Sequence, residues 1–144
     1  MSKLIFFPTN YVEITLDKEG LLQFLELLQS KKGELSFPLS NTTSDMISVR
    51  CLEVKPAPKE TFSGTDYHIM CLCDLESSNV QFHFDEDGFS EMQYILNIIY
   101  ETGDHFHMFA DFDLFVGKEE SEGISVIKAV TIYLQEKPVC QLSR

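Results

Sequence analysis

The chain has 144 residues, 44% of them apolar, and its 23 acidic against 11 basic side chains leave a formal net charge of −12. The apolar content excludes a disordered chain, four irregularly spaced cysteines exclude a disulfide scaffold, and the excess of carboxylates repels nucleic acid and anionic membrane. A chain of this length folds as one domain and buries roughly 68–70% of its unfolded surface without staples.

Lys3–Phe7 reads as a short strand and Pro8-Thr9-Asn10 as a turn, and Tyr11–Leu16 alternates apolar and polar as a half-buried strand does. Asp17 then caps a helix in which Leu21, Phe24, Leu25 and Leu28 form one apolar face. Lys31 and Lys32 suit its C-terminal end, and Gly33 is expected to supply the left-handed stop. Strands are expected at Glu34–Leu39 and Met46–Val54, separated by the polar loop 40–43.

The same plan then repeats. Val12, Asp17, Gly20 and Leu28 recur as Val80, Asp85, Gly88 and Leu96, at a constant separation of 68 positions. That separation carries Leu4 onto Leu72. A larger one carries Ser44-Asp45-Met46-Ile47-Ser48-Val49 onto Ser121-Glu122-Gly123-Ile124-Ser125-Val126. In the second copy Tyr67–Leu75 and Asn79–Phe84 read as strands. Asp85 starts a helix with Phe89, Met92, Ile95, Leu96 and Ile99 on one face, and Gly103 ends it. Asp104–Val116 and Ile124–Leu134 read as strands around an acidic loop, 117–123. A period this long suits two fused half-domains better than a solenoid.

The expected fold is therefore α+β. It is a single domain, 1–144, built from two strand-strand-helix-strand-strand repeats, 3–55 and 67–134. A proline-containing linker, 56–66, joins them, and the product is a mostly antiparallel sheet with two helices on one face. Gly20 and Gly88 fall in the first helical turns. Asp17, Glu19, Asp85 and Asp87 would repel an anion there, so close packing of helix on strand explains the glycines better than ligand binding.

Few residues suggest chemistry. His105 and His107 stand at i and i+2 of a strand, so both imidazoles project to one side and could hold a metal if His83, His68 or a nearby carboxylate supplied a third ligand. A solvent-facing or hydrogen-bonded histidine pair is the plainer reading. Cys71 and Cys73 read as small core residues, since no base or second cysteine pair accompanies them. Asp85-Glu86-Asp87 lacks the ligand rhythm of a calcium loop and reads as a cap. Asp111, Asp113, Phe115, Glu119, Glu120 and Glu122 mix acid with exposed aromatic. They read either as a contact surface for a basic protein or as a solvated hairpin, and the first is the expectation.

Three motifs together resemble a family. They are the Gly88-Phe89 helix start, the His105-Phe106-His107 strand and Ser121-Glu122-Gly123-Ile124, with Asp17-Lys18-Glu19-Gly20-Leu21-Leu22 in the first half. They resemble a family of small bacterial immunity proteins of polymorphic toxin systems. The resemblance implies a non-enzymatic inhibitor that binds a cognate toxin domain in the producing cell, with no cofactor, nucleic acid or membrane as partner. Many such toxins are basic, which the low pI suits. Two alternatives follow from the residues: a secretion chaperone of the type III class, which is also small, acidic and α+β, and a metal-dependent enzyme using His105 and His107. No secretory leader or membrane-length segment is legible, so a cytoplasmic protein is expected.

Overall fold

A computed structural model describes residues 2–7, 11–38, 46–64, 66–74, 76–109 and 124–135. In chain order these form β1 (Lys3–Phe7), β2 (Tyr11–Leu16), α1 (Lys18–Ser30), β3 (Gly33–Ser36), β4 (Ile47–Ser48) and β5 (Cys51–Pro56). A 3₁₀ turn (Lys59–Phe62) follows. The second half holds β6 (Ile69–Asp74), β7 (Asn79–Phe84), α2 (Glu86–Thr102), β8 (Phe106–Phe109), β9 (Ile124–Val126) and β10 (Ala129–Leu134). The class is α+β, with mostly antiparallel pairing.

Both helices start as their sequences dictate. Gly20 N–H donates to Asp17 Oδ1 at 2.7 Å and Gly88 N–H to Asp85 Oδ1 at 2.8 Å, which satisfies amides the first turn leaves free. Gly103 ends α2 with φ +76°. The expected stop of α1 is corrected: Lys31, not Gly33, takes the left-handed position, with φ +67°. Its ammonium is held 2.6 Å from Glu86 at the start of α2. At the other end Lys18 Nζ lies 5.9 Å from the Tyr100 ring, so the helices pack antiparallel.

The expectation of one sheet is also corrected. Among the described residues the strands form two five-stranded sheets, β4-β1-β2-β10-β8 and β9-β6-β7-β5-β3. The expected strands Met46–Val54 and Ile124–Leu134 each break in two. At the breaks Val49 and Ile127 are buried in the core, and their N–H groups donate to the carbonyls of Leu4 (2.8 Å) and Cys71 (2.9 Å). The chain thereby crosses from its own half's sheet into the other. β5 then runs parallel to β7, and β10 parallel to β2.

The two halves pair alike. Tyr11 lies opposite Ala129 as Asn79 lies opposite Cys51, and Ala57 N–H reaches Phe84 O as Gln135 N–H reaches Leu16 O. The register revises two sequence matches. Leu4 faces Ile14 where Cys71 faces Phe82, so Leu4 corresponds to Cys71, not Leu72. Ile5 faces Ser48 where Leu72 faces Val126, so the Ser-acid-apolar strings match one position later than read. By the same pairing His107 faces Thr131 as Glu34 faces Glu53, so His107 corresponds to Glu34.

Each helix touches both sheets, α1 at β2 and β3, α2 at β7 and β10. One core cluster accordingly joins all layers, from Leu4, Ile14 and Leu16 through Phe24, Met92 and Leu96 to Phe82 and Ile132. The Phe24 and Phe82 rings lie 6.1 Å apart, and those of Phe84 and Phe89 4.9 Å. The linker is no open tether, since Phe62 is buried against Met70 and Leu72 on the outer face of the second sheet.

The glycines are explained by contact. A Cβ on Gly20 would stand 2.5 Å from Ser2 Oγ, and one on Gly88 2.0 Å from the carbonyl oxygen of His68. In both halves the residue before the first strand lies against the helix start.

Candidate functional site

His105 and His107 meet on the outer face of the first sheet, at its edge strand β8. Their ring centroids are 4.7 Å apart, edge to face, and His105 also stacks on Tyr133 at 5.4 Å. His107 Nδ1 lies 2.7 Å from Thr131 Oγ1, and the Tyr11 hydroxyl donates to the same oxygen at 2.7 Å. Thr131 has one proton to give. A relay in which Tyr11 donates to Thr131 and Thr131 to His107 satisfies all three groups and assigns the imidazole proton to Nε2. Burial raises the Tyr11 phenol, the Thr131 bond opposes the rise, and Glu13 adds to it.

The histidines that might have completed a metal site are elsewhere. His83 lies on β7, in the other sheet, 3.2 Å from Gln81 Oε1, and His68 precedes β6. Among the described residues no cluster of three or more His, Cys, Asp or Glu side chains is placed to bind a metal. Cys71 and Cys73 are buried. Burial pushes the Cys73 thiol up to about 12 and the Cys71 thiol well above its ordinary value, so neither is a thiolate nucleophile. Cys51 is half-buried, and its thiol is pushed up to about 11 by burial and then by Glu34. The sequence-read contact residues Asp111, Asp113, Phe115, Glu119, Glu120 and Glu122 lie outside the described residues, as does Cys140.

Sequence reading missed an Asp–His pair. Asp85 Oδ2 stands 2.8 Å from His68 Nδ1, while Asp85 Oδ1 caps α2 and Asp85 N–H donates to His68 O at 3.2 Å. The two residues are separated by a strand, a turn and a second strand, so no local spacing announces them. Their hydrogen bond raises the His68 pKa, with partial burial opposing and the charges of Asp85, Asp87 and Glu91 adding. Beside the imidazole is a cavity of about 100 Å³ with an apolar wall including Cys71, Phe82, Ile127 and Val130, and with Glu91 and Lys128 at its border.

This pair would be a candidate for proton transfer if its carboxylate were free. The first half argues otherwise. There Ser2 Oγ donates to Asp17 Oδ1 at 3.3 Å and accepts from Asp17 N–H at 3.1 Å. Ser2 and His68 do one job, tying the strand entry to the cap. Asp85 is committed through both oxygens, and the Cys71 thiol in the cavity wall is held neutral.

The outer surface of the helix layer has a different character. Tyr94 is 68% exposed, Leu22 47% and Ile98 38%. Glu19, Glu26, Glu91 and Glu101 are exposed on the same two helices. The end contacts Lys31–Glu86 and Lys18–Tyr100 set Leu22 of α1 at about the level of Leu96 in α2, between Tyr94 and Ile98. Large apolar groups rimmed by carboxylates make a surface suited to a basic protein.

No family model, no curated protein and no solved structure matches this chain. No helix among the described residues is long and apolar enough to cross a membrane.

Proposed function

We propose that this protein is a non-enzymatic immunity protein, a doubled module that binds and neutralises a basic bacterial toxin domain. The helix layer carries the reading: Leu22, Tyr94 and Ile98 stand exposed among Glu19, Glu26, Glu91 and Glu101, on a chain of net charge −12. Aromatic and aliphatic anchors inside a charged rim supply affinity, and the rim supplies encounter rate and partner choice. The matching pairings of the two halves support the doubling. From the sequence alone, the acidic segment Asp111–Glu122 is a further expected contact for a basic partner.

The test is whether a toxin with a variable C-terminal domain is encoded beside this chain, and whether co-expressing the chain with that domain rescues growth. Tyr94→Ala should raise Kd for that domain by about 10- to 30-fold, as loss of an aromatic anchor does. Glu91→Lys should mainly slow association and flatten its salt dependence. Full rescue by a Tyr94→Glu/Ile98→Glu variant with unchanged affinity would refute the assignment of this surface. A chaperone of the type III class would instead be a homodimer in light scattering.

A further inference from the structure

Among the described residues the second sheet has an unpaired edge beside an acidic groove. β3 ends that sheet and, among the described residues, pairs only with β5. Phe37 N–H donates toward β5, to Arg50 O at 2.7 Å. Backbone directions alternate along a strand, so Leu35 and Gly33 also face β5, while the N–H and C=O groups of Glu34 and Ser36 face outward. Such a row is a template for another strand.

Opposite that edge stands α1. Gln23, Glu26 and Leu27 form one wall of a groove, and Glu34, Leu35 and Ser36 form the other. Past Gln23 the hollow continues between Glu19 and Pro38. From Glu19 to Ser30 the helix rises about 16 Å, the length of roughly five extended residues. Leu27 and Leu35 offer an apolar floor. Glu19, Glu26 and Glu34 are exposed along the walls, with Glu34 Oε2 3.7 Å from Cys51 Sγ, and among the described residues no lysine or arginine lines either stretch.

We propose that this groove takes an extended, lysine- or arginine-bearing segment of a protein partner, added to β3 as one more strand. Backbone pairing with Glu34 and Ser36 would hold the segment, and the three carboxylates would select its charge. A second copy of this chain is disfavoured there, because edge-to-edge pairing would bring Glu34 and Glu26 against their own kind. The inference rests on the proposed function for one thing, the basic character of the partner.

The probe is a blocked heptapeptide of alternating lysine and valine, titrated into the isotope-labelled full chain and followed by amide hydrogen exchange. At saturation the Glu34 and Ser36 amides should exchange about tenfold more slowly, while amides in the middle of α2 keep their rates. The same peptide N-methylated at alternate residues should give no such protection. The double variant Glu26→Lys/Glu34→Lys, altered only at exposed side chains, should bind the unmodified peptide about tenfold more weakly. Unchanged Glu34 and Ser36 rates, equal binding of the methylated peptide, or protection that grows with protein concentration alone would each overturn the proposal. The helix-layer variants Tyr94→Ala and Glu91→Lys should leave peptide protection intact. If those variants lose the toxin domain and the peptide protects nothing, the groove inference falls by itself. If the peptide protects and no basic toxin binds, the groove stands and the immunity reading falls.

Discussion

Alanine at the two matching glycines should have unequal consequences. In a helix alanine is worth about 1 kcal/mol more than glycine, so propensity alone favours both substitutions. At Gly20 the new Cβ meets Ser2 Oγ, the end of a rotatable side chain near the start of the chain. Ser2 can swing away, at the loss of its two bonds to Asp17, about 1 kcal/mol net. Gly20→Ala should therefore lie within about 1 kcal/mol of the parent. At Gly88 the Cβ falls 2.0 Å from the His68 carbonyl oxygen and 2.9 Å from its carbon, with Phe84 Cβ 3.3 Å behind. Backbone must move, and the strand entry moves with it. Overpacking costs about 1–3 kcal/mol, and displacing His68 strains both bonds that tie it to Asp85. Gly88→Ala should lose about 2–4 kcal/mol, or roughly 4–16 °C in Tm for a domain of this size. Urea unfolding followed by circular dichroism measures both. Equal stabilities for the two variants, or a larger loss at Gly20, would refute the close-packing account and reopen a ligand role for the helix start.

Two histidines should titrate on opposite sides of 6.5. The Asp85 bond raises His68 in the folded state, so its contribution is complete below about 6.5 and disappears as pH rises through the higher folded value. His83 is lowered by burial and then by Lys55, with Glu53 opposing, so its site loses stability as pH falls from about 6.5 toward the lower folded value. Proton NMR of the imidazole carbons gives both midpoints, and coincident midpoints near 6.5 would contradict both assignments. Phe82→Ala should cost about 3–5 kcal/mol in urea unfolding, because that ring lies fully buried against Phe24 and Phe84. A loss under 1 kcal/mol would refute a core shared by both sheets through Phe82.

What could be read from the residues was mostly local. Asp17 and Asp85 announce caps because capping is settled within three positions, and the Leu21-Phe24-Leu28 and Phe89-Met92-Leu96 stripes announce buried faces because helical period is settled within two turns. The strand breaks at Val49 and Ile127 were not legible. Both sit in apolar runs that suit an unbroken strand equally well, and only contact with Leu4 and Cys71 shows that each is a crossing. The stop at Lys31 was missed for a similar reason. Glycine is favoured where φ is positive, yet a lysine anchored by Glu86, a residue far along the chain, occupies the position. Of the candidate site, the sequence showed that His105 and His107 share a face but not their hydrogen-bonding partners. It gave no sign of His68 on Asp85, which depends on how β6 enters beside α2.

The crossing also explains why the sequence matches between the two halves drift along the chain. Each half ends on a strand that belongs to the other half's sheet, β5 beside β7 and β10 beside β2. The segments between the helix and that strand differ in length, so no single separation aligns the halves. Matching Leu4 with Leu72 carried the helix spacing into a hairpin whose turn is one residue longer in the second half. Pairing is the better ruler, because a slip of one residue would turn the buried set Val12, Ile14 and Leu16 outward. By that ruler a half taken alone loses the parallel neighbour of its central strand, β2 or β7, and one wall of a core that joins both sheets. The acidic helix layer sits over that joint core, with α1 and α2 contributed by different halves. Leu22 is exposed on one helix and Tyr94 and Ile98 on the other, so each half contributes part of the outer surface of the helix layer.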